Sequence, residues 1–144
     1  VAELVSAITR RRIDPTRLLA EVADSSAGGT VLFIGTVRNR NGGRRVSGLE
    51  YQVYREMAEA TLKKIEEEVK RKWPVKKISI VHREGVLKVG EVSVAVAVSA
   101  QHRAEAFEAC RYAIDRIKRS LPLWKKETFA SGRRSWVSGV PIER

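Results

Sequence analysis

The chain has 144 residues, 43% of them hydrophobic, and carries 28 Lys or Arg against 17 Asp or Glu, a formal charge of +11. Folding a chain of this length removes about 68–70% of its unfolded surface from water, so residues 1–144 are expected to form a single domain around one ordinary core. The lone cysteine, Cys110, excludes an intramolecular disulfide framework, a CxxC zinc site and chemistry by a cysteine pair.

Asp14-Pro15 reads as an N-cap followed by proline at the first helical position, with Leu18, Leu19 and Val22 as a short apolar face before Ser25-Ser26-Ala27-Gly28-Gly29 ends the helix. Residues 30–38 are rich in β-branched and aromatic types with apolar positions on both faces, which predicts a strand covered on both sides. Residues 46–54 alternate, Leu49, Tyr51 and Val53 against Glu50, Gln52 and Tyr54. They are expected to pair antiparallel with that strand around an Asn41-Gly42-Gly43 tip. From Glu56 the period changes to helical, with Ala58, Leu62, Ile65, Val69 and Trp73 on one stripe and Pro74 as the stop. Glu66/Lys70, Glu67/Arg71 and Glu68/Lys72 are expected to pair along its exposed side.

A short strand is predicted at 78–82, a loop or small hairpin at 85–90, and a strand at 91–99. In the last, Val92, Val94, Val96 and Val98 point one way and Ser93, Ala95, Ala97 and Ser99 the other. The small-residue face predicts close approach of the next helix, 103–121. That helix has Ala106, Cys110, Ala113 and Ile117 as its stripe, widened by Phe107, Ile114 and Leu121, and Pro122 ends it. Residues 123–127 and 135–137, on either side of a Gly132 loop, read as a final hairpin. Hairpin, helix, hairpin, helix, hairpin is the order of an α+β domain.

The apolar stretches 31–34 and 94–98 fall far short of the roughly 20 residues of a membrane helix. The first apolar residues precede Arg10-Arg11-Arg12, the reverse of a secretory signal. A soluble, cytoplasmic protein with no membrane contact is expected. Basic groups exceed acidic ones by 8 to 5 in residues 1–50, 10 to 7 in 51–100 and 10 to 5 in 101–144. The excess argues for an anionic ligand or partner: nucleic acid, a phosphate-bearing small molecule or an acidic protein.

Several residues have chemistry to offer. His102 and Arg103 open the long helix, where side chains and free first-turn N–H groups could converge on a phosphate, or simply keep a helix start soluble. Lys118 near the helix end and Lys125 beside Trp124 could be partly desolvated lysines acting as nucleophile or acid and base, or ordinary cations complementing the helix dipole. Arg38 could reach an anion as a forked donor or be a solvated loop arginine. His82 has no partner at metal-ligand spacing and reads as a strand-end histidine; Cys110 reads as a small buried hydrophobe. No metal site is expected. Neither an aromatic stacking signature nor zinc-finger spacing is present, so a nucleic-acid-binding module rests on charge alone.

Phe33-Ile-Gly-Thr-Val-Arg-Asn39, Leu49-Glu-Tyr51, Ile80-Val-His-Arg83, His102-Arg-Ala-Glu-Ala-Phe-Glu-Ala109 and Pro122-Leu-Trp-Lys-Lys-Glu127, in that order, resemble the large, catalytic subunit of molybdopterin synthase from about Asp14 to Val137. The resemblance implies an α/β hammerhead-type α+β domain with an antiparallel sheet, two long helices and small extra β hairpins. It implies a homodimer within a heterotetramer, each large subunit binding a small ubiquitin-like sulfur carrier. That carrier's C-terminal Gly-Gly thiocarboxylate would give two sulfurs to cyclic pyranopterin monophosphate, forming the dithiolene of molybdopterin without a cofactor in this chain. Carried over, the catalytic lysines fall on Lys118 and Lys125. The substrate-binding positions fall on Thr36, Val37, Arg38, His102, Arg103, Lys126 and Glu127. By the same resemblance Lys118 polarises the thiocarboxylate or is acylated by it, and Lys125 does acid and base work or holds the partly sulfurated intermediate. Two features depart from the family: the 129–134 loop is about one residue longer, and the 138–144 tail carries no arginine before Arg144, so cross-subunit contacts are left unassigned. A basic nucleic-acid-binding module and a non-catalytic adaptor for a ubiquitin-like protein are the competing readings.

Overall fold

The computed structural model describes residues 6–137; the 138–144 tail lies outside them. Strand β1 (Ala7–Thr9) leads to helix α1 (Pro15–Val22), where Asp14 caps the first turn by accepting from the Thr16 backbone N–H at 3.1 Å. There follow β2 (Gly29–Thr36), the two-residue β3 (Arg40–Asn41), β4 (Arg44–Val53), α2 (Arg55–Lys72), β5 (Val75–Arg83), β6 (Gly85–Lys88), β7 (Val92–Ala100), α3 (Arg103–Ser120), β8 (Leu123–Phe129) and β9 (Arg134–Val137). The class is α+β, with two 18-residue helices as expected. The final hairpin is also as expected, β8 against β9. No helix among the described residues is long and apolar enough to cross a membrane.

The strands form two sheets. One has the order β1-β5-β7-β2, with β1 parallel to β5 and the other pairs antiparallel. The second runs β3-β4-β8-β9, with β6 also paired to β4. The hairpin expected between residues 30–38 and 46–54 does not form. β2 lies against β7, Gly29 opposite Ala100, while β4 lies in the other sheet with Tyr51 opposite Lys125. Val37 explains the divergence: its N–H donates to the Glu91 carbonyl at 3.0 Å and its carbonyl accepts from the Gly90 N–H at 2.8 Å. The end of β2 is thereby fastened to the start of β7, and the chain leaves the first sheet there. The glycine tip survives on a smaller scale, since Gly42 and Gly43, at φ 59° and 81°, make the two-residue turn between β3 and β4.

Both faces of the first sheet are covered. Val94, Val96 and Val98 of β7 and Ile78 and Ile80 of β5 meet Leu62, Ile65 and Val69 of α2 and Cys110, Ala113 and Ile117 of α3 in the main core. On the opposite face Leu18 and Val22 of α1 pack on Ala95 and Ala97. The small-residue face therefore receives α1 and not helix 103–121. α3 sits on the valine face, and its own Ala106, Ala109, Cys110 and Ala113, all buried, let it lie close.

The glutamates of α2 also differ from expectation. Glu66 accepts from the backbone N–H and hydroxyl of Ser6. Glu68 turns to α3, accepting from Arg116 Nε at 3.0 Å and Nη2 at 3.2 Å and from the Tyr112 hydroxyl at 2.8 Å. Where the carboxylate can bind a guanidinium in a partly buried seam between helices, that geometry outweighs a solvated i,i+4 pair.

Candidate active site

Three elements meet at one end of the first sheet. β8 places Lys125 directly across from Tyr51 of β4, and the Tyr51 ring stands edge-on to His82 of β5, with centroids 5.1 Å apart and planes at 80°. The last turn of α3 brings Lys118 to the same place, between the buried Ile117 and Leu121. His82 is buried and pushed down to about 4. Desolvation is the main cause; the charges of Lys118 and Lys125 add to it, against the opposing hydrogen bond to the Arg83 carbonyl. The charges of two lysines from separate elements thus act on one buried, uncharged imidazole. Lys118 is exposed while Lys125 is half-buried.

Tyr51 continues the floor. Burial raises its pKa, with the Glu127 carboxylate adding to that, against a hydrogen bond with Ser93. Ser93 in turn donates to the Gly35 carbonyl at 3.2 Å. Glu127 is buried and held by Asn41, whose Nδ2 lies 3.0 and 2.9 Å from the two carboxylate oxygens. Lys126, between Lys125 and Glu127 in sequence, points to the other face of β8, where its Nζ lies 4.5 Å from the Trp136 ring centroid.

β5, β7 and β2 set His82 opposite Val94 and Val94 opposite Gly35, so the end of β2 lies in the same row, about 10 Å from His82. Thr36 and Arg38 are exposed there, and Arg38 has no carboxylate partner among the described residues. Val37 is 3% exposed; its side chain belongs to the core and its backbone fastens β2.

His102 and Arg103 are placed elsewhere. They open α3 beside Gly28 and Gly29, the opposite end of β2, about 23 Å along that strand from Thr36. Along α3, Arg103 is about 22 Å from Lys118. His102 is the N-cap, extended at φ −123° and ψ 149°, with no side-chain capping bond, so both side chains are open to solvent. Within one chain, then, the named residues make two groups: Lys118, Lys125 and the 36–38 segment at one end, His102 and Arg103 at the other.

His82, Tyr51 and Asn41 also belong to this site, although in the sequence they read only as a strand-end histidine, a strand residue and a loop-tip residue. His82 was legible in part, because Ile78, Ile80 and His82 share one side of β5 and all three are buried. A histidine continuing an apolar alternation points inward.

The family model described as the MoaE protein matches residues 8–120. This chain belongs to the MoaE family. It is 43% identical over 129 residues to the molybdopterin synthase catalytic subunit of Thermoplasma volcanium, covering 90% of this chain and 94% of that protein. The solved molybdopterin synthase of Staphylococcus aureus is similar at a TM-score of 0.87 and 37% identity, over 92% of this chain and 96% of that one. A complex of subunits 1 and 2 of the molybdopterin-converting factor from Helicobacter pylori shares the MoaE fold at a TM-score of 0.75 and 21% identity, over 92% of this chain and 89% of that chain.

Proposed function

We propose that this MoaE-family chain is the catalytic subunit of a cytoplasmic molybdopterin synthase, a single domain that moves two sulfurs from a small ubiquitin-like subunit to cyclic pyranopterin monophosphate. The observation that carries the reading is the convergence of Lys118 and Lys125 over the buried His82. Both reactants are anions: a thiocarboxylate at the end of the small subunit's Gly-Gly tail and a cyclic phosphate. Lys125, half-buried against Tyr51, acts through less water than a surface lysine does, and the exposed Lys118 adds its charge from the open side. Lys118, the more open of the two, takes the thiocarboxylate end and polarises it or is acylated by it. Lys125, half-buried against Tyr51, moves protons or holds the partly sulfurated intermediate. Arg38 and Thr36 face the phosphate from the end of β2, and the buried Glu127 keeps this end of β8 in place through Asn41.

His102 and Arg103 fit the same chemistry only from a second copy. Their separation of about 22 Å along α3 from Lys118 is too great for one small substrate to bridge. A homodimer that sets the α3 start of one chain beside the α3 end of the other completes the site, and with one small subunit per chain gives a heterotetramer.

The test is an incubation with thiocarboxylated small subunit and cyclic pyranopterin monophosphate, with molybdopterin read as its fluorescent oxidation product. The wild-type chain is expected to form product and Lys118→Ala to lose about 100-fold or more while still binding the small subunit. Normal turnover by both Lys118→Ala and Lys125→Ala would refute the site. An adaptor would keep its function in both variants, and a nucleic-acid binder would show affinity that falls steeply with salt and ignores Lys118.

A further inference from the structure

His82 is the one buried imidazole among the described residues, and the mechanism above gives it no task beyond lying beneath the lysines. Its Nδ1 sits 2.8 Å from the Arg83 carbonyl oxygen. A carbonyl only accepts, so Nδ1 carries the hydrogen and Nε2 of the neutral ring keeps a lone pair. The Tyr51 ring fixes the imidazole plane from β4. The groups facing His82 can be taken element by element. β1 and β7 offer the apolar Ile8 and Val94 across the ladder. β4 offers Tyr51, with Ser93 of β7 and Glu127 of β8 acting on its hydroxyl. α3 and β8 offer the charges of Lys118 and Lys125. The register sets Lys125 opposite Tyr51, whose ring meets His82, and the charges of both lysines but of no carboxylate act on this acceptor, so it is placed to bias them in turn.

We infer that His82 is a positioning residue for the lysine pair: it offers its Nε2 lone pair to the ammonium groups of Lys118 and Lys125 and keeps a third positive charge out of the floor. This rests on the reading of those lysines as catalytic. An acceptor favours the ammonium form, so removing it lowers the lysine pKa. His82→Phe keeps a ring against Tyr51 and removes the acceptor, whereas His82→Gln restores a polar group near the position of Nε2.

In the complete assembly with the small subunit, His82→Phe is expected to melt near the wild-type temperature and to lose ten-fold or more in kcat, with KM changed less than two-fold. The lysine-governed limb of its kcat–pH profile is expected to move to lower pH, and His82→Gln to recover most of both effects. Wild-type kcat and pH profile in a folded His82→Phe would overturn the proposal. A second measurement needs neither turnover nor a folded variant at position 82. The ¹⁵N spectrum of the wild-type imidazole is expected to show protonated Nδ1 and bare Nε2, and the Nε2 resonance to shift in Lys118→Ala and Lys125→Ala. An unmoved Nε2 in both would overturn the proposal even if the lysines are essential. A shifted Nε2 in lysine variants that still turn over normally would sink the catalytic reading of the lysines and leave the coupling standing.

Discussion

His82 also links the site to acid tolerance. Its folded pKa of about 4 lies below the ordinary 6.5, chiefly through burial. Above pH 6.5 neither folded nor unfolded chain binds the proton, and the group contributes nothing. Between 6.5 and about 4 the unfolded chain is protonated and the folded one is not, so stability falls as pH falls, by up to about 3 kcal/mol. Denaturant melts at pH 7 and pH 4.5 should show this loss in the wild type and a shallower one in His82→Phe. An equal loss in both would place the acid sensitivity in the carboxylates. Cys110 is a residue-scale counterpart. It is buried, with its thiol raised to about 11 by desolvation, and lies 3.7 Å from the Val96 carbonyl as a donor. Thiol reagents at neutral pH are expected to label it slowly in the folded protein and quickly in denaturant. Rapid labelling of the native chain would mean that α3 opens readily from the sheet.

At the scale of elements, the α2–α3 seam depends on Glu68, held by both Arg116 and Tyr112, with the Trp73 ring edge-on to Tyr112 at 5.3 Å and its indole N–H donating to Glu108. Arg116→Ala leaves a part-buried carboxylate with the tyrosine alone and should cost about 1–3 kcal/mol in chemical denaturation, with little change in substrate KM. This seam also shows what the sequence made readable. The stripes through Ala58, Leu62, Ile65 and Val69 and through Ala106, Cys110, Ala113 and Ile117 fix both long helices, because a helix face is a local property of its own residues. Strand partners are not local. Residues 46–54 carry the right alternation for a strand, but nothing within them distinguishes β2 from β8 as a neighbour; that choice is made by Val37 bonding to the 90–91 turn. The small face of β7 does take a close-packed helix, but that helix is α1 and not α3, a choice hard to see in the sequence because α1 is short and rests on only Leu18 and Val22. Of the site, Lys118, Lys125 and Arg38 stand out in the sequence as candidates and the family resemblance gives them roles, while the floor of Tyr51 and His82 depends on a ring contact between strands of different sheets, which no local pattern shows.

For the whole molecule, the two ends of α3 give a prediction about assembly. If the His102-Arg103 end of one chain serves the Lys118 end of another, then Arg103→Ala and Lys118→Ala damage different contributions to each site. Two inactive homodimers, mixed under conditions that let subunits exchange, should regain about a quarter of wild-type activity, because half the dimers are mixed and each mixed dimer has one intact site of two. No recovery after demonstrated exchange would require both groups to act within a single chain, against their spacing in the fold. Gly28 guards the same end: a Cβ there would lie 2.4 Å from the Gln101 carbonyl oxygen. Gly28→Ala should therefore displace the start of α3 and lower Arg103-dependent substrate binding more than it lowers binding of the small subunit.

Strand β8 has Lys125 and Lys126 side by side in sequence and on opposite faces of the sheet. Which residue meets Tyr51 is thus set by a count that begins at Pro122, where α3 has ended. Deleting one residue between Pro122 and Lys125 would turn Lys126 inward and swing the Glu127 carboxylate out, while the composition of the segment stayed almost the same. Pairing of β8 with β4 on one edge and β9 on the other holds that count in register. Deleting both Leu123 and Trp124 would keep Lys125 on the inner face but bring Glu127 opposite Tyr51, so a carboxylate would stand where the lysine does and the site should be lost as well.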